Sequence, residues 1–302
     1  MTIARKYRIV FLLVPVFLLF TGVTVFSSTA EELASFADSL FEEGDYYRAI
    51  TEYKRLLHQY PETKLAKEAN LKVAIAYIEG KRFDAALTTL EKFRQSYRSD
   101  PLALEALFLI GEAWFAAGNY REALKVFELA HKEASTGEQK SRAFAARGWS
   151  LMKMGKWKEA SAAFEDLGEK EQGRYLRLSL DLQKGETLPI KSPSLAGTLS
   201  AIIPGAGQLY VGRKRDALVS FLLNSAFIAG AAESFRKGED ALGGILLFFE
   251  AGWYAGNIYS AAGGAHKYNA RARDDFSYAM ERKYSFGADG KGNLFGLYNI
   301  RF

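Results

Sequence analysis

Few residues in this sequence have the type and spacing to do chemistry. The three histidines, His58, His131 and His266, lie far apart, and none has a second ligand at metal spacing. Cysteine is absent, which removes thiolate metal sites, a cysteine nucleophile and a disulfide framework. It also removes any attachment point for a lipid on cysteine within these residues. The string GEKEQGRY at 168–175 approaches a phosphate-binding loop, but Arg174 and Tyr175 stand where that loop needs Lys and then Ser or Thr. The sequence therefore predicts no metal, no cofactor and no catalytic residue, and a protein that is not an enzyme. One carboxyl stands out. Glu250 is the only ionisable residue in the apolar run 241–264. Asn257 shares its helical face, and Asn224 lies in the middle of the neighbouring apolar segment. An intramembrane carboxyl can serve ion or proton transfer; the plainer expectation is a hydrogen bond between helices.

The elements that hold these residues can be read from the distribution of charge. The chain has 302 residues, net charge +5 and a pI near 9.1. The stretches 9–26 and 195–264 are almost free of charge, whereas 31–190 mixes charged and apolar residues evenly. The basic excess is local: Arg5, Lys6 and Arg8 precede the first apolar run, Arg213, Lys214 and Arg215 separate two later ones, and Lys267, Arg271 and Arg273 follow the last. Basic residues flanking apolar spans mark membrane boundaries. No basic stripe interleaved with aromatics runs along one face, so nucleic acid is not an expected partner. Residues 1–30 have the basic start, apolar middle and small-residue end (Ser28, Ala30) of a signal peptide, with a cut expected after Ala30; the alternative is an uncleaved anchor, since the apolar run 9–26 is just long enough to span a bilayer. Residues 31 onward are then expected outside the cytoplasm.

Between 31 and 187 the sequence repeats at a spacing near 34 residues. EEGDYYRAITEYKRLL, AAGNYREALKVFELA and KMGKWKEASAAFEDL align, and EGKRFDAALTTLEKF fits with a small shift. In the third copy, Leu107, Gly111, Trp114, Gly118, Tyr120, Ala123, Phe127 and Ala130 fall on the framework. These positions resemble the tetratricopeptide (TPR) repeat, which implies about four hairpins of two helices, A and B, and a capping helix at 174–186. No repeat can bury its apolar face alone, so they must stack. The string YKRLLHQYPETKLAKEA further resembles envelope TPR proteins, the Tol–Pal partner and the TPR lipoprotein of the barrel-assembly machinery, and implies that compartment. A solenoid offers a groove to peptides or partner helices; Asp38, Glu42, Lys72, Glu112 and Lys153 are the candidate groove residues, read as exposed helix-A positions.

A Pro-containing linker, 188–194, leads into the module 195–283 and a tail, 284–302, whose alternation suggests a short strand. The segments 195–212, 217–235 and 241–264 are candidate spans, the first broken by Pro204-Gly205. Gly252, Gly256, Ser260 and Gly264 form a stripe suited to close helix contact. Pro204, Gly205, Gly207, Gln208, Tyr210 and Gly212 resemble a bacterial helical membrane module marked by Pro-Gly-x-Gly-Gln-x-Tyr-x-Gly, and that resemblance implies membrane association. Gly205 and Gly207 permit a sharp turn, and Gln208 and Tyr210 are placed to satisfy the backbone groups it frees. The orientation rule favours three crossings, with Arg213–Arg215 and Lys267–Arg273 in the cytoplasm. A two-crossing alternative, with 195–211 re-entrant, leaves both clusters on the side of the repeats. The expected fold is thus all-α, a TPR helical-hairpin solenoid followed by a small helical transmembrane module. The expected role is a membrane-anchored periplasmic scaffold for other envelope proteins, with the lipid bilayer as second partner and the inner membrane preferred to the outer. The alternative is a component of a transport or assembly complex in which the membrane module is the active part.

Overall fold

A computed structural model describes residues 29–167 and 173–284. Every element among them is helical. The leader 1–28, the loop 168–172 and the expected tail strand beyond Tyr284 lie outside the described residues.

The chain divides into two compact units at residue 93. In the first unit, α1 (Ala30–Glu42), α2 (Tyr46–Gln59) and α3 (Lys64–Glu79) follow one another as antiparallel neighbours, and α4 (Phe83–Ser96) runs to the boundary. Polar caps start three of these helices: Thr29 in a capping box with Glu32, Asp45 on Arg48 N–H, and Thr63 on Ala66 N–H. Thr29 and Ala30 thus belong to the folded helix, and Ala30 is buried. The expected cut after Ala30 falls inside the first capped turn. The second repeat aligns only with a shift because its turn differs: Lys81, not a glycine, takes the left-handed conformation there.

The second unit contains α5 (Leu102–Ala116), α6 (Tyr120–Glu133), α7 (Gly137–Lys153), α8 (Trp157–Glu165) and α9 (Arg174–Leu182), followed by a 3₁₀ turn at Gln183–Thr187. These are the third and fourth repeats and the cap. The repeat pattern has a steric basis. A methyl group added at Gly111 would lie 2.3 Å from the Phe127 ring, and one at Gly148 would lie 2.6 Å from Phe164. Helix B approaches helix A so closely that only glycine fits. Phe164 also packs edge-on against Trp149 and stacks on Tyr175, closing the core of the fourth repeat over the cap.

The remaining helices are α10 (Pro193–Ile202), α11 (Ala206–Tyr210), α12 (Lys214–Arg236) and α13 (Asp240–Tyr284). α12 and α13 form an antiparallel hairpin: Phe235 meets Gly243, Leu246 meets Gly230 and Asn257 meets Ser220. The third apolar segment does not end at 264. α13 continues for 45 residues and returns to the repeats. There Phe276 packs edge-on against Trp157, Met280 and Tyr284 join the fourth-repeat core, and Glu281 pairs with Lys153. The 188–194 linker thus connects elements that also meet through the end of α13. The linker itself is pinned, because Asn269 accepts from Lys191 N–H at 2.7 Å and donates to Lys191 C=O at 2.8 Å.

This corrects the three-crossing arrangement. α10 has 10 residues and α11 has 5, about 15 Å and 8 Å of helix, against roughly 30 Å of hydrocarbon. They run out and back along α13. Tyr254 donates to Ala201 C=O near the far end of α10, while Arg213, after α11, bonds Ser260 near the base. Segment 195–211 turns back on itself along α13, and both basic clusters share the end of the hairpin that meets the fourth repeat.

Candidate functional site

Four of the five expected groove residues are engaged within the chain. In the first unit, Lys72 bonds both carboxylate oxygens of Asp38 at 2.7 and 2.8 Å, and Asp38 also accepts from the Tyr53 hydroxyl. Burial, reinforced by that carboxylate, pushes the Tyr53 phenol well above its usual range. In the second unit Glu112 is 5% exposed, so it is not a surface position; it lies 3.4 Å from Arg142. Arg142 also forms a two-pronged pair with Glu105 and lies over the Phe108 ring, 4.1 Å from its centroid. Lys153 pairs with Glu281 of α13. Glu42 alone stays exposed. Each of the pairs Asp38–Lys72 and Glu105–Arg142 joins successive A helices, so opposite charges recur about one repeat apart, at 34 and 37 residues. That spacing is the sequence signal that would have identified Glu105 and Arg142.

A third cluster lies where α13 meets the cap. Asp181 accepts from Lys184, Lys283 and the Tyr284 hydroxyl, each at 2.6 Å. These three donors hold its carboxyl well below the usual carboxylate range. The sequence gives no warning of this contact, since α9 and the end of α13 are a hundred residues apart. Among the described residues no group of three or more His, Asp or Glu is placed to hold a metal ion.

The motif 204–212 builds the turn between α10 and α11 and leads into α12. Pro204 ends α10, and Gly205 takes φ +92°, which a side chain resists. Gly207 lies where α11 crosses α10; an added methyl carbon would sit 1.9 Å from Ala196 C=O. Gly207 N–H donates to Ser200 Oγ, which donates to Gln208 Oε1 at 2.7 Å. Gln208, fully buried, donates through Nε2 to Asn257 C=O on α13. The Tyr210 hydroxyl accepts from Ser192 N–H, closing the turn onto its own start. Gly212, at φ +84°, then leads into α12. The glycine stripe of α13 behaves differently. Gly264 touches Val211 and Ser260 bonds Arg213, but Gly252 and Gly256 face open space, so the close helix contact expected there is not made among the described residues. Asn224 and Glu250 are both buried in the hairpin, and neither Glu250 oxygen has a hydrogen-bond partner among the described residues.

The outer surface of the hairpin is apolar. Among the described residues α12 is the one helix long and apolar enough to cross a membrane, and only 22% of its apolar window is buried. Ile202, Leu218, Leu222, Phe248, Phe249 and Trp253 are at least half exposed. Apolar exposure on this scale marks a surface that meets lipid or another protein.

Repeated helical hairpins, glycine-mediated contacts and a closing cap define a TPR-type helical-repeat protein. Residues 27–145 match the family described as YfiO, outer membrane lipoprotein. The chain is also 30% identical over 87 residues to the outer membrane protein assembly factor BamD of Neisseria gonorrhoeae, and equally to that of Neisseria meningitidis serogroup A. The match covers 29% of this chain, which spans about a third (33%) of the length of these relatives. Among solved structures, a tetratricopeptide repeat protein from Parabacteroides merdae superposes with TM-score 0.43 at 14% identity, over 89% of this chain and 98% of that one.

Proposed function

We propose that this protein is a non-enzymatic scaffold of the bacterial envelope, whose repeats engage other envelope proteins on the periplasmic side while the α12–α13 hairpin holds it in a membrane. The observation that carries the reading is α13 itself. At one end α13 packs along the apolar α12, and at the other it is built into the fourth-repeat core, so the anchor and the fourth repeat move as one body. The similarity of residues 27–145 to an outer membrane lipoprotein family, and of 87 residues to proteins named as assembly factors, supports the compartment and the class of partner.

Orientation is set by the segments that have to cross. Arg5, Lys6 and Arg8 ahead of the first apolar run favour export of the chain beyond it. Inserting the hairpin from outside then moves only the turn 236–240 through the bilayer. Arg236 and Lys237 are offset there by Glu239 and Asp240. The basic clusters at 213–215 and 267–273 stay at the headgroups, beside Tyr210 and Tyr268, whose rings flank Lys191. A reading in which the module is the active part of a transport or assembly complex is favoured by one observation, the unpartnered Glu250.

In cell fractionation, the full chain is expected in the membrane pellet after an alkaline carbonate wash. A chain with Leu218, Leu222, Phe248 and Phe249 all changed to Ser is expected to wash off, because polar residues on a lipid-facing surface oppose insertion. Retention of that variant would show that the hairpin is not the anchor.

A further inference from the structure

Glu250 is 5% exposed, and both its carboxylate oxygens lack a partner; Asn224 Oδ1, buried on α12, lacks one too. The register set by Ser220–Asn257 and Gly230–Leu246 puts Glu250 opposite the turn of α12 that comes after Asn224. Glu250 also lines an open cleft of about 390 Å³ with Ile228, Leu247, Ala251, Tyr254 and Ala255. The cleft adjoins the end of α10, with Ile258 and Tyr254 lining it where they meet that helix. Gly197 of α10 lies against Ile258 and Ala262, and Tyr254 bonds Ala201 one turn further on; beyond that point Leu247 and Ala251 of α13 are exposed. The lining is apolar except for the carboxyl. A carboxyl buried without a donor is costly, and the hydrogen bond between helices expected of Glu250 has no donor within the described chain.

We propose that this cleft is the docking site for a transmembrane helix of another protein that presents a Lys or Arg side chain to Glu250. Charge complementarity selects this occupant. A second copy of the chain would bring a second carboxylate to the same place, and a purely apolar helix would leave Glu250 unpaired. The shape agrees, since the partner helix continues the line that α10 already takes along α13. The inference rests on the reading of the hairpin as membrane-embedded.

The full chain, carrying one fluorophore on a Lys237→Cys variant, would be reconstituted in phosphatidylcholine vesicles. Energy transfer would be measured to synthetic Leu/Ala helices of bilayer length with a single central Lys, Leu or Asp. The Lys helix is expected to associate roughly tenfold more tightly than the Leu helix, as one buried polar contact between membrane helices allows. Glu250→Gln is expected to bring it down to the Leu level. Ala255→Leu, which fills the cleft and leaves the carboxyl in place, is expected to abolish capture as well. Equal capture of the Lys and Leu helices, undiminished capture by either variant, preference for the Asp helix, or transfer between two copies of the chain would each overturn the proposal. Flotation of the chain with the vesicles is scored first. A chain that fails to float overturns the membrane reading and this inference with it, whereas a chain that floats without selecting the Lys helix overturns this inference alone.

Discussion

Phe164→Ala is expected to lower stability by about 3–5 kcal/mol, the range for removing a fully buried aromatic from a packed core. The ring is fully buried, lies against the glycine face at Gly148, and packs on both Trp149 and Tyr175. Its core also contains Met280 and Tyr284 of α13, so the loss reaches the junction with the α12–α13 hairpin. For a unit of this size each kcal/mol shifts the midpoint by roughly 2–4 °C, which predicts a drop on the order of 10 °C in a thermal melt of the detergent-solubilised chain. An unchanged midpoint would show that the fourth repeat and the end of α13 do not share a core.

Gly207→Val carries the second large effect. Its first added carbon would overlap Ala196 C=O, a backbone atom that cannot rotate away, and would press on Ser200 Oγ and Ala261. Overpacking a tight site costs about 1–3 kcal/mol when side chains can shift; here α11 itself must move, and the Ser200–Gln208–Asn257 chain of bonds breaks with it. The level of the protein in membranes is expected to fall several-fold, as destabilised chains are cleared. Gly252→Val is the control. It has open space around it and is expected to accumulate normally. Equal levels of the two variants would contradict the packing of α11 against α10.

The range of each interaction decides whether the sequence makes it legible or hides it. The repeats are readable because the hairpins share short-range devices: a left-handed glycine in three of the four, at 44, 118 and 155, and in all four an alanine where helices touch, at 49, 86, 123 and 160. The Pro-Gly turn and its satisfying side chains, Gln208 and Tyr210, are local in the same sense. The groove residues were legible as helix-A positions but not as paired ones, because Arg142 lies 37 residues from Glu105. The return of α13 was hidden for a different reason. AHKYNARARDDF reads as a charged exit from the membrane, yet Phe276, Met280 and Tyr284 recur every four residues and make one buried stripe on an otherwise polar helix. Glu250 was legible as unusual; that nothing within the described chain satisfies it was not.

In the proposed topology the hairpin crosses the membrane twice, and the repeats and both basic clusters lie on the outer side. The sequence contains no cysteine, so single cysteines report cleanly. Arg271→Cys, beside the fourth repeat, and Lys237→Cys, at the far turn, are each treated in intact cells with a maleimide that reaches the periplasm but not the cytoplasm. The account predicts labelling at 271 and protection at 237 until the cells are lysed. Protection at 271, or labelling at 237 in intact cells, would contradict it.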